Sequence, residues 1–425
     1  MFARLSILRT RLFTRWVALG GLRSDAVLYG CAAAFSLLLG WTSTQVAQWH
    51  WGYLSAGPYA AGALLGYALA RLRPRREVMA RVILLTLVVI GSVAVPLGLE
   101  ARWRHQDPAM GFAQPEVSVI ERSGVYLSQG EDPYRAYDKD GRLIGVVKGL
   151  PTYESFFPYF PLMGVFGLPS AETHEGTGLT DARIIMSLMT LLASAAALFL
   201  LKASGKKKIR VAQMLLALPT GALFLATGGD DMPILALLLL GVALLERRSN
   251  NAAGVSFGVA AAMKLTAWPL ALGALLVARD ERAASAWRRV AMWVMAIVVV
   301  TIAPFAIKAP WAFVSNVLEF PLGLAGVSSP AASALPGHIL TTWWSPLGHI
   351  LAPTTFLVGG YFVTKYMKHY WPLSISRLLG VLSLVSFVMM NVASATRIGY
   401  IIYPANFALW SWVTIDHGVL DPVLV

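Results

Sequence analysis

Four of the chain's 22 acidic residues, Glu116, Glu121, Glu131 and Asp132, fall in one short stretch, "QPEVSVIERSGVYLSQGEDPY" at 114–134. Other ionisable residues stand at or inside the ends of apolar runs: Asp230 and Asp231 in "TGGDD", Lys264 in "AAMKLTAWP", and Arg397 in "ATRIGYIIYP" with Tyr400 and Tyr403 behind it. Charges at such depth are costly in a membrane and mark function by default. A carboxylate of this kind can act as a general base, and a guanidinium can clamp an anion with two donors. The sequence lacks an HExxH pair, a Walker loop, a dinucleotide fingerprint and a Gly-x-Ser-x-Gly elbow. Adjacent His174 and Glu175 read as surface residues, and Cys31, the one cysteine, reads as a buried thiol. Metalloprotease, ATP-driven transport and serine-hydrolase chemistry are therefore not indicated.

The elements that must position these residues are membrane helices. The chain is 57% hydrophobic and 13% charged, about half the charged share of a soluble domain. Several apolar runs approach or exceed the ~20 residues that cross a bilayer. The net charge of +13 is concentrated between those runs, in the N-terminal arginines, "RLRPRR", "KKKIR" and "ARDERAASAWRR", as cytoplasmic loops are under the positive-inside rule. That distribution argues against nucleic-acid binding. A basic cytoplasmic segment (1–24) precedes two spans at about 25–45 and 51–70. Further spans are expected near 82–99, 184–201, 211–227, 232–245, 290–307, 346–365, 374–392 and 399–415, with a cytoplasmic tail at 416–425. Residues 101–181 form a long outer loop whose mixture of Tyr, Trp, Phe and Pro predicts a folded segment. Within it, "FFPYFPLMGVFGLP" (156–169) is too short and proline-broken to span and reads as a re-entrant or interfacial piece. Residues 253–278 have basic flanks at both ends and Lys264 and Pro269 in the middle, which predicts a hairpin of two short helices broken near Lys264. The acidic stretch, Asp230–Asp231 and Arg397 then meet at the outer boundary, where a site can receive a lipid from the bilayer and a polar molecule from outside.

"GEDPY" (130–134), "FPYFPLMGVFGLP" (157–169), "LALPTGALFLATGGDDMPILALLLL" (216–240) and "GVAAAMKLTAWPL" (258–270), in that order after an early outer-loop carboxylate, resemble the GT-C superfamily of membrane glycosyltransferases. The chain is most similar to glycosyltransferase family 87, the polyprenol-phosphate-mannose-dependent α-mannosyltransferases of actinobacterial envelopes. The resemblance covers about residues 80–415, with the two preceding spans (25–79) as an addition. It implies an all-α polytopic GT-C fold of about ten to twelve transmembrane helices. It also implies a plasma-membrane enzyme with its site on the periplasmic side, taking a sugar from a polyprenyl phosphate to a glycolipid or glycan acceptor. Mannose is the first expectation; a pentose such as arabinose, and a lipid or solute transporter, are the alternatives. No cofactor is required, and a divalent cation is left open.

Members of that family carry a catalytic Asp soon after the first core span; the matching position here is Glu116, a departure by one methylene, with Glu121 as the competing base. A lipid phosphate leaves as a stable anion, so a single base on the acceptor hydroxyl suffices, in contrast to the paired carboxylates of glycosidases. Arg397, then Lys264, then Arg102 and Arg104 are the candidate phosphate ligands, although Lys264 could also snorkel inward and the last two could anchor a helix end. Asp230 and Asp231 could bind sugar hydroxyls or cap the next helix. Tyr134, Tyr159 and Tyr400, with Trp343 and Trp344, could stack on a sugar, although interfacial aromatics are expected without a ligand. Glu131 and Asp132, beside Pro133, read as turn residues.

Overall fold

The computed structural model describes residues 21–134, 152–171, 178–278, 285–325, 327, 331–344 and 346–415. The N-terminal segment to residue 20, His174, Glu175 and the tail from residue 416 lie outside the described residues. The protein is an all-α polytopic membrane protein. Six of its described helices are long and apolar enough to cross a bilayer: Leu22–Thr42, Glu77–Gln106, Ala182–Leu200, Gly205–Thr227, Ala286–Lys308 and Ile375–Val392. Helices satisfy their own backbone hydrogen bonds, which is what apolar surroundings demand.

In chain order, α1 (Leu22–Thr42) packs along α2 (Val46–Leu72). Helix α3 (Glu77–Gln106) contains a π turn at Ile90–Ala94, and α4 (Pro115–Ser128) follows it outside the apolar runs. Next come α5 (Ala182–Leu200) and α6 (Gly205–Thr227), the latter interrupted by a π turn at Gln213–Ala217 and restarted at Pro219. Helix α7 (Asp231–Glu246), "DMPILALLLLGVALLE", is apolar around its whole circumference and almost wholly buried, as a central helix of a bundle should be. Helices α5, α8 (Asn250–Ala261) and α9 (Trp268–Val277) pack against it, and α10 (Ala286–Lys308) packs on α8. The chain ends in α11 (Pro336–Trp343), α12 (Leu347–His369), α13 (Ile375–Val392) and α14 (Ile402–Val413).

The break at Lys264 is a true reversal of direction. Gly254 of α8 faces Val290 of α10, and Gly258 faces Val294 and Ile297, so α8 and α10 advance in parallel. The chain must therefore return along α9 before α10 begins. The freed backbone groups at the break find partners: Trp268 Nε1 donates to the Ala261 carbonyl (2.9 Å) and the Phe160 amide donates to the Met263 carbonyl (2.9 Å). Pro269 sits in the first turn of α9, where its missing N–H costs nothing.

The outer-loop pieces are folded against the bundle. The 3-10 helix Pro161–Ser170 lies on α4 so closely that a Cβ on Gly124 would stand 2.1 Å from the Gly167 carbonyl carbon, and one on Gly167 would stand 2.2 Å from the Ile120 carbonyl oxygen. Gly228 takes φ +103 at the end of α6, and a Cβ there would strike Val117; only glycine accepts that conformation readily.

Two buried ionic clusters brace opposite ends of α3, which at ~1.5 Å per residue is a long strut. At one end, Arg81 holds Asp25 through two bonds (2.6 and 3.0 Å), and Arg210 binds the same carboxylate (2.6 Å) and the Ser24 hydroxyl. At the other, Arg104 and Arg183 tie together Glu100, Glu121 and Asp181. Each cluster joins helices far apart in sequence, and removal of one member would leave an uncompensated buried charge.

Candidate active site

A cavity of about 470 Å³ opens where the loop segments meet α7, α9, α13 and α14. Glu116 reaches it from the first turn of α4, where Pro115 starts the helix and the helix N-terminus favours a carboxylate. That turn is fixed from behind: the Gln114 amide donates to the Thr227 carbonyl (2.9 Å) and its side-chain amide to the Thr227 hydroxyl (2.8 Å). Arg397 reaches the cavity from the extended residues before α14, and its guanidinium is bonded to the Glu116 carboxylate. Two residues distant by most of the chain thus meet across the site.

Deeper in the cavity, Lys264 Nζ donates to Asp230 Oδ2 (2.6 Å) and Asp231 Oδ1 (2.7 Å). Tyr403 also donates to Asp231 Oδ1 (2.6 Å), and its oxygen lies 2.7 Å from the Thr266 hydroxyl. The rings of Tyr159 and Tyr400 lie 5.4 and 5.9 Å from the ammonium, within cation–π range. The inward-snorkelling alternative for Lys264 is thus overturned: two carboxylates draw its tip into the cavity. The capping alternative fails for Asp230 as well. It stands at the N-cap of α7, but its side chain makes no capping bond and is spent on Lys264. Lys264 itself is committed to two acids, which leaves it poorly placed to receive a phosphate.

The cavity has an apolar wall. Leu382, Val385, Ser386, Met389 and Met390 recur at helical spacing on one face of α13, and all line it. Its charged lining comprises, among the described residues, Glu116, Glu154, Asp230, Asp231, Lys264 and Arg397. Among the described residues, no group of three or more His, Cys, Asp or Glu is placed to hold a metal ion.

Several residues expected at the site are elsewhere. Glu121 is 3% exposed; both its oxygens accept from Arg104 (2.9 and 2.7 Å) and one also from the Ala182 amide (3.1 Å). With its lone pairs so occupied it braces α3, α4 and α5 and does not line the cavity. Arg104 is its partner and is spent there, while Arg102 is exposed on α3 and lines no part of the cavity. Tyr134 stands one layer behind, donating to the Tyr159 carbonyl (2.8 Å). Trp343 and Trp344 are exposed and lie outside the cavity. Asp132 accepts from the Tyr134 amide (2.9 Å), the turn expected of it.

The residue missed is Glu154. It lines the cavity beside Glu116, and its backbone carbonyl is held by Arg122 (2.5 Å). Burial pushes its carboxyl above the ordinary range; Arg122 pulls it back, and neighbouring Glu116 adds to the rise. The available signal was an acid two residues before the "FFPYFP" segment already singled out.

The sequence model of glycosyltransferase family 87 matches residues 157–396, more than half of the chain. The chain belongs to glycosyltransferase family 87. It is a multi-pass membrane glycosyltransferase. No curated protein and no solved structure matches it. The matched region of this family 87 glycosyltransferase contains the hairpin, Asp230–Asp231, the α13 face and, at its end, the residues leading to Arg397; Glu116 precedes it.

Proposed function

We propose that this glycosyltransferase takes a sugar, mannose in the first instance, from a polyprenyl phosphate and transfers it with inversion to a hydroxyl of a glycolipid or glycan acceptor on the periplasmic side. The observation that carries this reading is the mixed lining of the cavity. Its lining offers an arginine suited to a phosphate and carboxylates suited to sugar hydroxyls, together with an apolar helix face suited to a prenyl chain. The positive-inside pattern of the loops supports the periplasmic orientation.

In this reading Glu116 receives the acceptor proton as the acceptor oxygen attacks the anomeric carbon. The bond from that carbon to the phosphate oxygen breaks, and the lipid phosphate departs with the electron pair. Arg397 binds the phosphate through a planar pair of donors. The Asp230 and Asp231 oxygens not held by Lys264 accept from sugar hydroxyls, and Tyr159 and Tyr400 bound the sugar site. The departing group needs no acid, so one base suffices.

The test is transfer in membranes containing the protein, supplied with radiolabelled polyprenyl-phosphate-mannose and envelope lipids. Label entering a new glycolipid with wild type and not with Glu116→Gln is the expected result. A pentose donor run in parallel decides the sugar: transfer from the pentose alone replaces mannose in the proposal. Transfer from neither donor by wild type removes the reading.

A further inference from the structure

Resting on that reading, we propose that the donor phosphate switches on the base, by drawing Arg397 away from Glu116 and leaving this carboxylate beside Glu154 with no cation holding it.

Three observations lead there. First, one oxygen of Glu116, Oε1, is already occupied by the Arg397 guanidinium, so an acceptor hydroxyl must share or displace that contact. Second, the cavity-lining cations among the described residues are Lys264 and Arg397. Lys264 is buried between two carboxylates, whereas Arg397 holds one carboxylate and its side chain is 38% exposed. An incoming phosphate therefore competes for Arg397. Third, the other Glu116 oxygen, Oε2, is buried and has no hydrogen-bond partner among the described residues. An acceptor hydroxyl would supply that missing donor.

Once Arg397 moves to the phosphate, the charged and titratable groups around Glu116 among the described residues are Glu154, Tyr153 and Tyr159, with Arg122 beside Glu154 and with Asp230 and Asp231 neutralised in part by Lys264. The near charge is then Glu154, of the same sign, and like charge strengthens the hold on a proton. Glu154 is thereby a positioning residue that acts through Glu116. The consequence is an order of events: an acceptor or water arriving before the donor meets a masked base. In the transfer step the acceptor O–H proton passes to Glu116, the acceptor oxygen bonds to the anomeric carbon, and the phosphodiester becomes a free polyprenyl phosphate whose added negative charge Arg397 receives.

Binding of undecaprenyl phosphate to the purified full chain in detergent is the direct measurement. Glu116→Gln removes the competitor for Arg397 and is expected to bind it about two- to tenfold tighter than wild type, while transferring no sugar. Equal or weaker binding by a Glu116→Gln protein that elutes and melts like wild type overturns the proposal. Should that variant fail to fold, Glu154→Gln serves with a different readout. The acid limb of its rate profile at saturating donor is expected to move to lower pH, because the like charge beside Glu116 is gone; a stationary limb overturns the switch. Wild-type protein that binds and transfers while both variants behave otherwise than expected disproves the switch and leaves the enzyme reading standing. Wild type that does neither removes both.

Discussion

Lys264 Nζ lies 2.7 Å from Asp231 Oδ1 and 2.6 Å from Asp230 Oδ2, at the point where a helical hairpin turns back within the bundle. One ammonium neutralises two adjacent carboxylates that would otherwise repel each other inside an apolar surround. Replacing it by an apolar residue of similar length exposes that repulsion.

Lys264→Met is therefore expected to lose about 3–5 kcal/mol of stability, the usual cost of breaking a buried ion pair from one side, and with it sugar transfer. Thermal unfolding in detergent reads the loss. Pairing the substitution with Asp231→Asn should recover much of the melting temperature, because the remaining site again holds less uncompensated charge. A Lys264→Met protein that melts with wild type would show the cluster to be solvated and of little consequence.

Glu121 and Glu116 are both glutamates of α4, and substitution separates their roles. Glu121→Gln loosens Arg104 within the buried cluster and should lower stability by about 3 kcal/mol. Turnover per folded molecule should stay within a few-fold of wild type, since Glu121 lies outside the cavity. Glu116→Gln should do the reverse, with little change in melting and loss of transfer by about a hundredfold or more. Turnover by Glu121→Gln reduced as deeply as by Glu116→Gln would return Glu121 to the chemistry.

The pH dependence of stability carries the signature of Glu154. Its carboxyl is raised in the folded protein, by burial first and by Glu116 after that. The folded state therefore binds that proton more tightly than the unfolded chain. The resulting stabilisation is present below the ordinary glutamate range and is lost as pH rises through the raised value. Relative to wild type, Glu154→Gln should gain in melting temperature from pH 4 to pH 7. A constant difference across that window would mean that the carboxyl is not raised.

Much of this arrangement was legible from residue type and place. Charges at the ends of apolar runs marked Asp230, Asp231, Lys264 and Arg397, and the basic flanks of 253–278 marked a hairpin that the parallel course of α8 and α10 bears out. What the sequence could not supply was which charge faces which. Arg104 and Arg397 both follow or precede a span, yet one is paired into a buried brace with Asp181, 77 residues away, and the other opens on the cavity. Rotation about a helix axis decides between those fates, and near a helix end neither periodicity nor depth fixes it. The brace of Asp25 with Arg81 and Arg210 was illegible for the same reason: its members look like the ordinary charged flanks of cytoplasmic loops. Glu154 was overlooked because a lone acid in a long polar loop reads as solvated.

The close approach of Gly124 and Gly167 sets the height of α4 and so of Glu116. Gly167→Ala places a methyl 2.2 Å from the Ile120 carbonyl oxygen, a backbone atom that cannot swing aside. The expected cost is about 1–3 kcal/mol, with transfer falling further than stability because the base is displaced with its helix. Gly111→Ala, where a Cβ would meet nothing but φ is +69, should cost about 1 kcal/mol and spare turnover per folded molecule.

The α13 face offers the sharpest separation of lipid from sugar recognition. Ser386 lines the cavity among Leu382, Val385, Met389 and Met390 on one face of α13. Ser386→Phe adds a ring to a cavity of about 470 Å³ without touching a charge. If the prenyl chain lies along this face, the substitution should raise KM for a long-chain donor by about tenfold or more and leave a short-chain prenyl phosphate sugar within about threefold of wild type, since a well-packed wall resists added volume. The comparison of two donors on one variant cancels any general loss of folded protein. Equal penalties for both donors would move the lipid path off α13 and toward the part of the cavity lined by Phe320 and Pro321, where the same pair of donors can be tried against Phe320→Ala.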